Sequence, residues 1–441
     1  MDKLISVLFL LVAIIPVYGQ SFSLFEAQEY ALANAEKIKR TELDYEIAKS
    51  QVVETRAQGL PQVSSQIDFN NFLNVPVMVV DGSFVGQPGE LVSFRAGTDY
   101  GANVGATVSQ LLFDGSYLVG LQVSKFYTEF VDRSIAKSKE EVLFDVTRAY
   151  ELCLVSRENY LFMDSLVKGT ERLVNQQKEL LDLGLIAKED MDQVDFALIQ
   201  AKTNQSAADY SYRNALHLLK LNMAYPMDET LELTTSLNEI MDEVTSSPLD
   251  VGSIYDNIEL DLLKKRKVLS EYDLKNTRMA NLPRLNAFFN HQYNYFSNDK
   301  IVFTDDTKWF DQTVVGLSLS VPIVSSGRRW SKTQQAKLAL KQDEYAISEF
   351  ERALKLQEVQ YKNAFDQALQ QLNLQEKNVK LAQRIYENAL IKAEIGKENN
   401  LSVTQKYNQL TIAQTQYVNA MVDVFTARLN IDKLYNRLNK R

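Results

Sequence analysis

Proline is absent from two very long stretches of this chain, 117–182 and 327–441. A proline inside a helix removes a hydrogen bond and clashes with the preceding turn, so its absence lets one helix run uninterrupted. At 1.5 Å per residue, a helix over 117–182 alone would be about 100 Å long. Glycine and proline are scarce overall, 16 and 8 in 441 residues, where ordinary usage would supply roughly 31 and 22. The expected fold class is therefore mainly α. Apolar residues also recur every seven positions: Leu166, Leu173 and Leu180; Leu340, Ile347, Leu354, Tyr361 and Ala368; Phe365, Leu372, Val379, Tyr386 and Ala393. A seven-residue period keeps one seam against a partner helix and winds a left-handed coiled coil. The shorter helices expected over 24–58 and 185–221 are each about half as long, so two of them end to end match one long helix.

Composition excludes several functions. One cysteine rules out an internal disulfide framework and a Cys-rich zinc site. Two histidines, His217 and His291, lie too far apart in sequence for a histidine metal centre. Acidic residues outnumber basic ones, 57 to 48, which argues against nucleic-acid binding. No nucleophile–base set or phosphate loop is present. Gly82, Gly86 and Gly89 lack the strand-to-helix context of a nucleotide site. No enzyme activity, cofactor or metal is expected.

The first 20 residues look like an export signal. Lys3 precedes an apolar core, Leu4 to Ile15, which Pro16 ends; Val17 and Gly19 suit positions −3 and −1 of a cleavage site. Beyond this segment no apolar run approaches the ~20 residues of a spanning helix.

Internal similarity sets the layout. Gly59-Leu60-Pro61-Gln62-Val63 resembles Asn281-Leu282-Pro283-Arg284-Leu285, 222 residues later. Leu111 to Ser116 resembles Pro322 to Gly327, offset 211, and Leu183-Gly184-Leu185 resembles Ile395-Gly396-Lys397, offset 212. The change of offset puts an 11-residue insertion, expected to be a loop, between Pro61 and Leu111. The chain thus divides into a first repeat over 21–222, a connector over 223–250, a second repeat over 251–429 and a C-terminal helix end or tail over 430–441. Each repeat carries a helix, a strand pair, a long helix and a further helix. The first has strands over 61–73 and 100–113 and helices over 116–183 and 185–222. The second has strands over 283–297 and 312–324 and helices over 327–395 and 397–429.

The strands alternate between two faces. Val63, Ile67 and Phe69 alternate with Gln62, Gln66 and Asp68; Val104, Ala106 and Val108 with Asn103, Gly105 and Thr107; Val315, Leu317 and Leu319 with Gly316, Ser318 and Ser320. An apolar face and a polar face in segments of about ten residues is the weak signature of membrane-barrel strands, with lipid outside and water inside. Phe69, Phe72, Tyr100, Tyr293, Tyr295, Trp309 and Phe310 flank them and suit a bilayer interface. A soluble sandwich would place those rings in its core, yet Asn70-Asn71 and Asn290 to Asn294 are too polar for a sheet buried on both faces. Four strands are too few to close around water, so several chains would have to share one barrel.

At this point the chain resembles the TolC-like outer-membrane efflux proteins. The resemblance rests on Gly59-Leu60-Pro61 and Asn281-Leu282-Pro283 before each strand pair. It continues in Gln110 to Gly115 and Ser320 to Gly327 after each pair, and in Leu183-Gly184-Leu185-Ile186-Ala187 and Ile395-Gly396 between the helices. It covers essentially the whole chain after residue 20. It implies a homotrimer whose three chains, four strands each, build a twelve-stranded β-barrel over a long α-helical coiled-coil barrel. It also implies an outer-membrane location with extension into the periplasm, outer-membrane lipid around the barrel, a periplasmic adaptor (membrane fusion) protein and an inner-membrane pump as partners, and no nucleic acid. The implied role is the passive exit duct of a tripartite efflux or type I secretion system. The alternative is a soluble periplasmic coiled-coil scaffold or adaptor. Leu111 stands where the family often has proline, and Ala33-Asn34-Ala35-Glu36 and Asp256-Asn257-Ile258-Glu259 stand where it has an Asn-Pro pair.

The family closes its tunnel near the tips between the long and following helices, with Gly184 and Gly396 as the tip turns here. An aspartate often stands six residues after the first glycine; here that is Asp190, preceded by Glu189 and followed closely by Asp192. In the second repeat, acids six and nine residues on are replaced by Ser402 and Gln405, and Glu398 stands where an arginine is common. Glu189, Asp190, Asp192, Glu398, Ser402 and Gln405 are the gate candidates. Glu189 and Asp190 equally suit the first turn of a helix, where acids are favoured without any gate. Trp330, beside Arg328 and Arg329, is a further interface candidate. Cys153 and His217 lie in apolar helical stretches and are expected in the core, and His291 on a strand at the interface.

Overall fold

A computed structural model describes residues 20–86, 88–248, 252–298 and 309–438. Except for Gln20, the segment expected to be an export signal lies outside these residues. The chain is mainly helical and sorts into two compact units. One unit comprises residues up to 43, 132–262 and 347 onward; the other comprises 44–131 and 263–346.

The first unit begins with a short strand β1 (Gln20–Phe22) that pairs in parallel with β6 (Leu231–Leu233). Helix α1 (Leu24–Asn34) starts at a reciprocal cap: the Ser23 amide donates to Glu26 Oε2 at 2.7 Å, and the Glu26 amide to Ser23 Oγ at 3.3 Å. A single helix over 24–58 was expected. Instead the backbone leaves helical geometry at Ala35 (ψ 123°) and restarts as α2 (Glu36–Ala57). Ala35 is buried, and its carbonyl accepts the first amides of α2, from Ile38 and Lys39. Asn257 makes the same break before α6 (Ile258–Met279) and caps it, its Oδ1 accepting from Glu259 N at 3.0 Å and Leu260 N at 3.2 Å.

Two helices, α3 (Gly115–Asp182) and α7 (Arg328–Glu394), dominate the chain, each followed by a shorter helix, α4 (Lys188–Met223) and α8 (Asn400–Leu434). Their seams in the first unit follow the seven-residue period: Phe365, Leu372, Val379, Tyr386 and Ala393 are all buried. Val379, Tyr386 and Ala393 share one core cluster with Leu166, Leu173, Val194, Ala201, Tyr407 and Leu410, and Phe365 and Leu372 another with Leu154, Val424 and Phe425. Each fully buried aliphatic or aromatic side chain contributes about 1.5–3 kcal/mol, which is what holds such long helices together. The 223–250 connector contains β6 and an amphipathic helix α5 (Leu237–Ser246), whose Leu237, Ile240 and Val244 enter the core. The C-terminal turn is packed as well: Ile431, Leu434, Tyr435 and Leu438 are buried. His217, expected in the core, is exposed. Its neighbours Ala215 and Leu219 form the buried stripe of α4, and a residue two positions from each lies on the other side of the helix. Cys153 is fully buried, and desolvation pushes its thiol up to about 12, so it is inert packing.

The second unit holds a four-stranded antiparallel sheet in the order β2 (Gln62–Asn71), β5 (Tyr100–Phe113), β7 (Arg284–Ser297), β8 (Trp309–Ser320). The last strand was expected over 312–324. It ends at Ser320 because Ser320 pairs with Arg284, the first residue of β7, and Pro322 beyond it has no amide to offer a ladder. The connection between β2 and β5 is not a plain loop. It folds into a hairpin of β3 (Val77–Asp81) and β4 (Leu91–Arg95).

Candidate functional site: a two-faced sheet and two helix tips

The register of the sheet puts all four apolar sets on one face. Val63 pairs with Val108, Ile67 with Val104, Phe289 with Val315, Ala287 with Leu317 and Leu285 with Leu319. Val315 and Leu317 are 76% and 69% exposed. A continuous apolar surface of this kind is stable against lipid or another protein surface, not against water. The opposite face is a ladder of amides and hydroxyls. Asn103 Nδ2 donates to Asn294 Oδ1 at 2.7 Å, Asn290 Nδ2 to Thr107 Oγ1 at 2.8 Å, and Gln292 Nε2 to Gln312 Oε1 at 2.8 Å. Strands β2 and β8 each pair on one side only among the described residues, so the sheet has two open edges.

The aromatic residues divide between these faces. On the apolar face Phe69 stacks on Tyr100 with centroids 6.2 Å apart, and Tyr295 lies against Trp309 at 5.1 Å. Tyr295 is itself buried, whereas Tyr293 is exposed and meets the edge of His291. His291 Nδ1 is 2.7 Å from Thr313 Oγ1, which gives this polar ring a partner on the apolar face. Phe72 and Phe310 depart from the sequence-based grouping. Phe310 pairs opposite Asn294 on the polar face, and Phe72 continues the polar-face parity of Asp68 and Asn70. Trp330, in the first turn of α7, is largely exposed, and the neighbouring Arg329 Nη1 donates to the Pro322 carbonyl at 3.1 Å.

The two helix tips lie in the first unit and share one backbone design. Gly184 and Gly396 have φ of +72° and +68°. Leu185 N donates to Leu180 O at 2.9 Å and Gly184 N to Leu181 O at 2.8 Å; Lys397 N donates to Lys392 O at 2.8 Å and Gly396 N to Ala393 O at 3.0 Å. This is the Schellman closure, which needs a left-handed residue where the helix stops. Side chains then tie the tips together. Asn400 Nδ2 donates to Asp190 O at 3.1 Å, and Gln176 Nε2 to Glu394 O at 2.9 Å.

The gate candidates behave differently from one another. Glu189, Asp192 and Gln405 are exposed, and Asp190 is half-buried in the first turn of α4. Glu398 instead forms an ion pair with Lys406 at 3.0 Å, and Lys406 Nζ donates to Ser402 Oγ at 2.9 Å. Hydrogen bonds from Ser402 and Lys406 hold the Glu398 carboxyl below the usual carboxylate range. Lys406 was missed in the sequence, although its position four residues after Ser402 on one helix face was a usable signal. No group of side chains able to hold a metal ion occurs among the described residues, and no described helix is long and apolar enough to cross a membrane.

Residues 264–437 match the family "Outer membrane efflux protein". The "Outer membrane protein TolC" of Vibrio cholerae is 21% identical over 238 residues, and that match spans about half the length of each protein, 54%. Among solved structures, the Campylobacter jejuni CmeC outer membrane channel superposes with a TM-score of 0.69 at 15% identity, over 93% of this chain and 85% of that one. The outer membrane protein VceC of Vibrio cholerae superposes with a TM-score of 0.68 at 12% identity, over 93% and 95%. At such identities the superpositions speak for the fold, and over residues 264–437 the chain is similar to the outer-membrane efflux proteins.

Proposed function

We propose that this protein is the passive exit duct of a tripartite efflux or type I secretion system, working as a homotrimer. The observation that carries this reading is the sheet: one exposed apolar face, one satisfied polar face and two open edges. Three copies joined edge to edge give twelve strands, with the apolar face toward lipid and the amide ladder toward water. The paired positions of the left-handed residues support a duplicated unit, since 396 less 184 and 436 less 224 both give 212. A periplasmic adaptor and an inner-membrane pump would supply coupling and energy. Glu189, Asp190 and Asp192, with Glu398, Ser402 and Gln405, would line the closure at the helix tips, where rings of acids govern cation passage.

Fractionation of expressing cells tests the reading. Recovery in outer membranes as a detergent-stable trimer that conducts ions in planar bilayers is the expected result. Recovery as a soluble periplasmic monomer would favour the scaffold alternative, whose difficulty is the exposed Val315–Leu317–Leu319 face.

A further inference from the structure

We propose that Phe72, Phe296 and Phe310 form an aromatic strip on the water-facing side of the sheet that binds cationic aromatic amphiphiles near the loop end of the barrel. The proposal rests on the duct reading, which makes this face the channel wall.

The strip lies at the loop end of a mainly polar face, apart from the other large apolar residues of that face on the described strands, Leu111, Phe288 and Val314. Pairing of Gly101 with Phe296 and of Asn294 with Phe310 puts both rings on the same side as the Asn103–Asn294 and Gln292–Gln312 amide pairs. The two rings contact each other with centroids 6.3 Å apart and planes inclined by 38°. Gly101 has no side chain, and the space it leaves is taken by Phe72, whose Cε2 lies 3.5 Å from where a Cβ would stand. Bare Gly101 thus lies between Phe72 and Phe296, and the strip crosses the sheet from the end of β2 to β8. All three rings remain roughly half exposed, Phe310 at 58%. Open aromatic faces carry a negative quadrupole that attracts cations, most strongly when the cation itself brings apolar groups that shed water.

The local charge has the same sign. Among the described strand residues of this face, the charged ones are Asp68 and Arg284. Arg284 lies at the far end of β7 and is 3.6 Å from Asp114. Asp68 lies one step along β2 from Asn70, the partner of Gly101, and so close to the strip. An aromatic patch with a carboxylate beside it selects lipophilic cations over anions and over small hydrated cations.

The test is block of single-channel current in planar bilayers by tetraphenylphosphonium, with tetramethylammonium as the cation of equal charge, both added on the loop side. The wild type is expected to be blocked by tetraphenylphosphonium at a concentration about tenfold lower. F296S/F310S should abolish that difference while conducting normally, F296Y/F310Y should keep it, and D68N should weaken both blocks together. A conducting wild type that does not distinguish the two cations, or an F296S/F310S channel that still does, overturns the proposal alone. A wild type that forms no pore overturns the duct reading and this proposal with it.

Discussion

Glu398 is ion-paired to Lys406 within its own chain, carboxylate to ammonium at 3.0 Å, and the same ammonium donates to Ser402 at 2.9 Å. The second tip therefore neutralises its own acid. The first tip has no equivalent: ten residues after Gly184 stands Val194, buried in the seam, where Lys406 stands ten residues after Gly396.

This asymmetry gives the first prediction. If the tips close the duct, Glu189→Ala with Asp190→Ala should raise single-channel conductance and weaken block by divalent cations. Glu398→Ala should change either property far less, because its charge is already compensated. Lys406→Ala should strengthen divalent block by freeing Glu398. Bilayer recordings with added calcium decide it. Unchanged block in the double variant would leave Glu189 and Asp190 as ordinary first-turn acids that complement the α4 dipole.

A second prediction concerns pH. Glu140 on α3 is 2% exposed, and its Oε1 has no hydrogen-bond partner. Desolvation pushes its carboxyl up to about 7; Lys433 and Arg133 oppose the rise, and Glu141 and Glu259 reinforce it. A carboxyl raised above its unfolded value binds more protons when folded, so stability falls as pH rises from about 4.5 to about 7 and then levels off. Glu140→Gln should leave stability at pH 5 nearly unchanged and raise it by about 2 kcal/mol at pH 8.5. Guanidinium unfolding at the two pH values measures this. Equal effects at both would show that Glu140 is not the titrating group.

The helical seams and the two-faced strands were legible because both are periodic, and a period survives without tertiary context. Phe365 to Ala393 at seven-residue spacing was sufficient, as was the alternation of Val315, Leu317 and Leu319 with Gly316 and Ser318. The break at Ala35 was not legible, since alanine favours helix and only burial of that turn moves it out. The face taken by Phe72 was hidden because it depends on the bare Gly101 across the ladder. His217 misled because an apolar stretch says nothing about which side of the helix is buried. The spacing of Lys406 from Ser402 was readable, but its pairing with Glu398 was not, because that acid lies before the helix that carries the lysine.

A third prediction tests the C-terminal packing. Asp432 is 2% exposed, 3.2 Å from Arg428 Nε and 3.3 Å from Arg437 Nη1, while Arg428 Nη1 also donates to Ser247 O at 2.9 Å. Asp432→Ala strands a buried guanidinium and should cost about 3–5 kcal/mol. The exposed pair Lys49–Glu46 is the control, and Lys49→Ala should cost at most about 0.5 kcal/mol. Chemical unfolding of both variants supplies the comparison. A mild Asp432→Ala would mean that water or a shifted Ser247 segment satisfies Arg428.

The last prediction sets one exchange against its reverse. Gly184 and Gly396 hold left-handed backbone with nothing within 4 Å of a would-be Cβ, so an alanine there meets conformational strain and no clash. Ala224 ends α4 in the same conformation, φ +54°, with the same closure: Tyr225 N donates to Lys220 O at 2.8 Å and Ala224 N to Leu221 O at 3.1 Å. A left-handed alanine costs about 1–2 kcal/mol, offset in part by the greater unfolded freedom of glycine. Gly184→Ala and Gly396→Ala should each destabilise the chain by about 1 kcal/mol, and Ala224→Gly should stabilise it by about 0.5 kcal/mol. Unfolding midpoints at constant denaturant dependence would show the opposite signs. Destabilisation by Ala224→Gly would mean that the Ala224 methyl makes contacts worth more than the strain it causes, and that the ends of α3 and α4 are held by different forces.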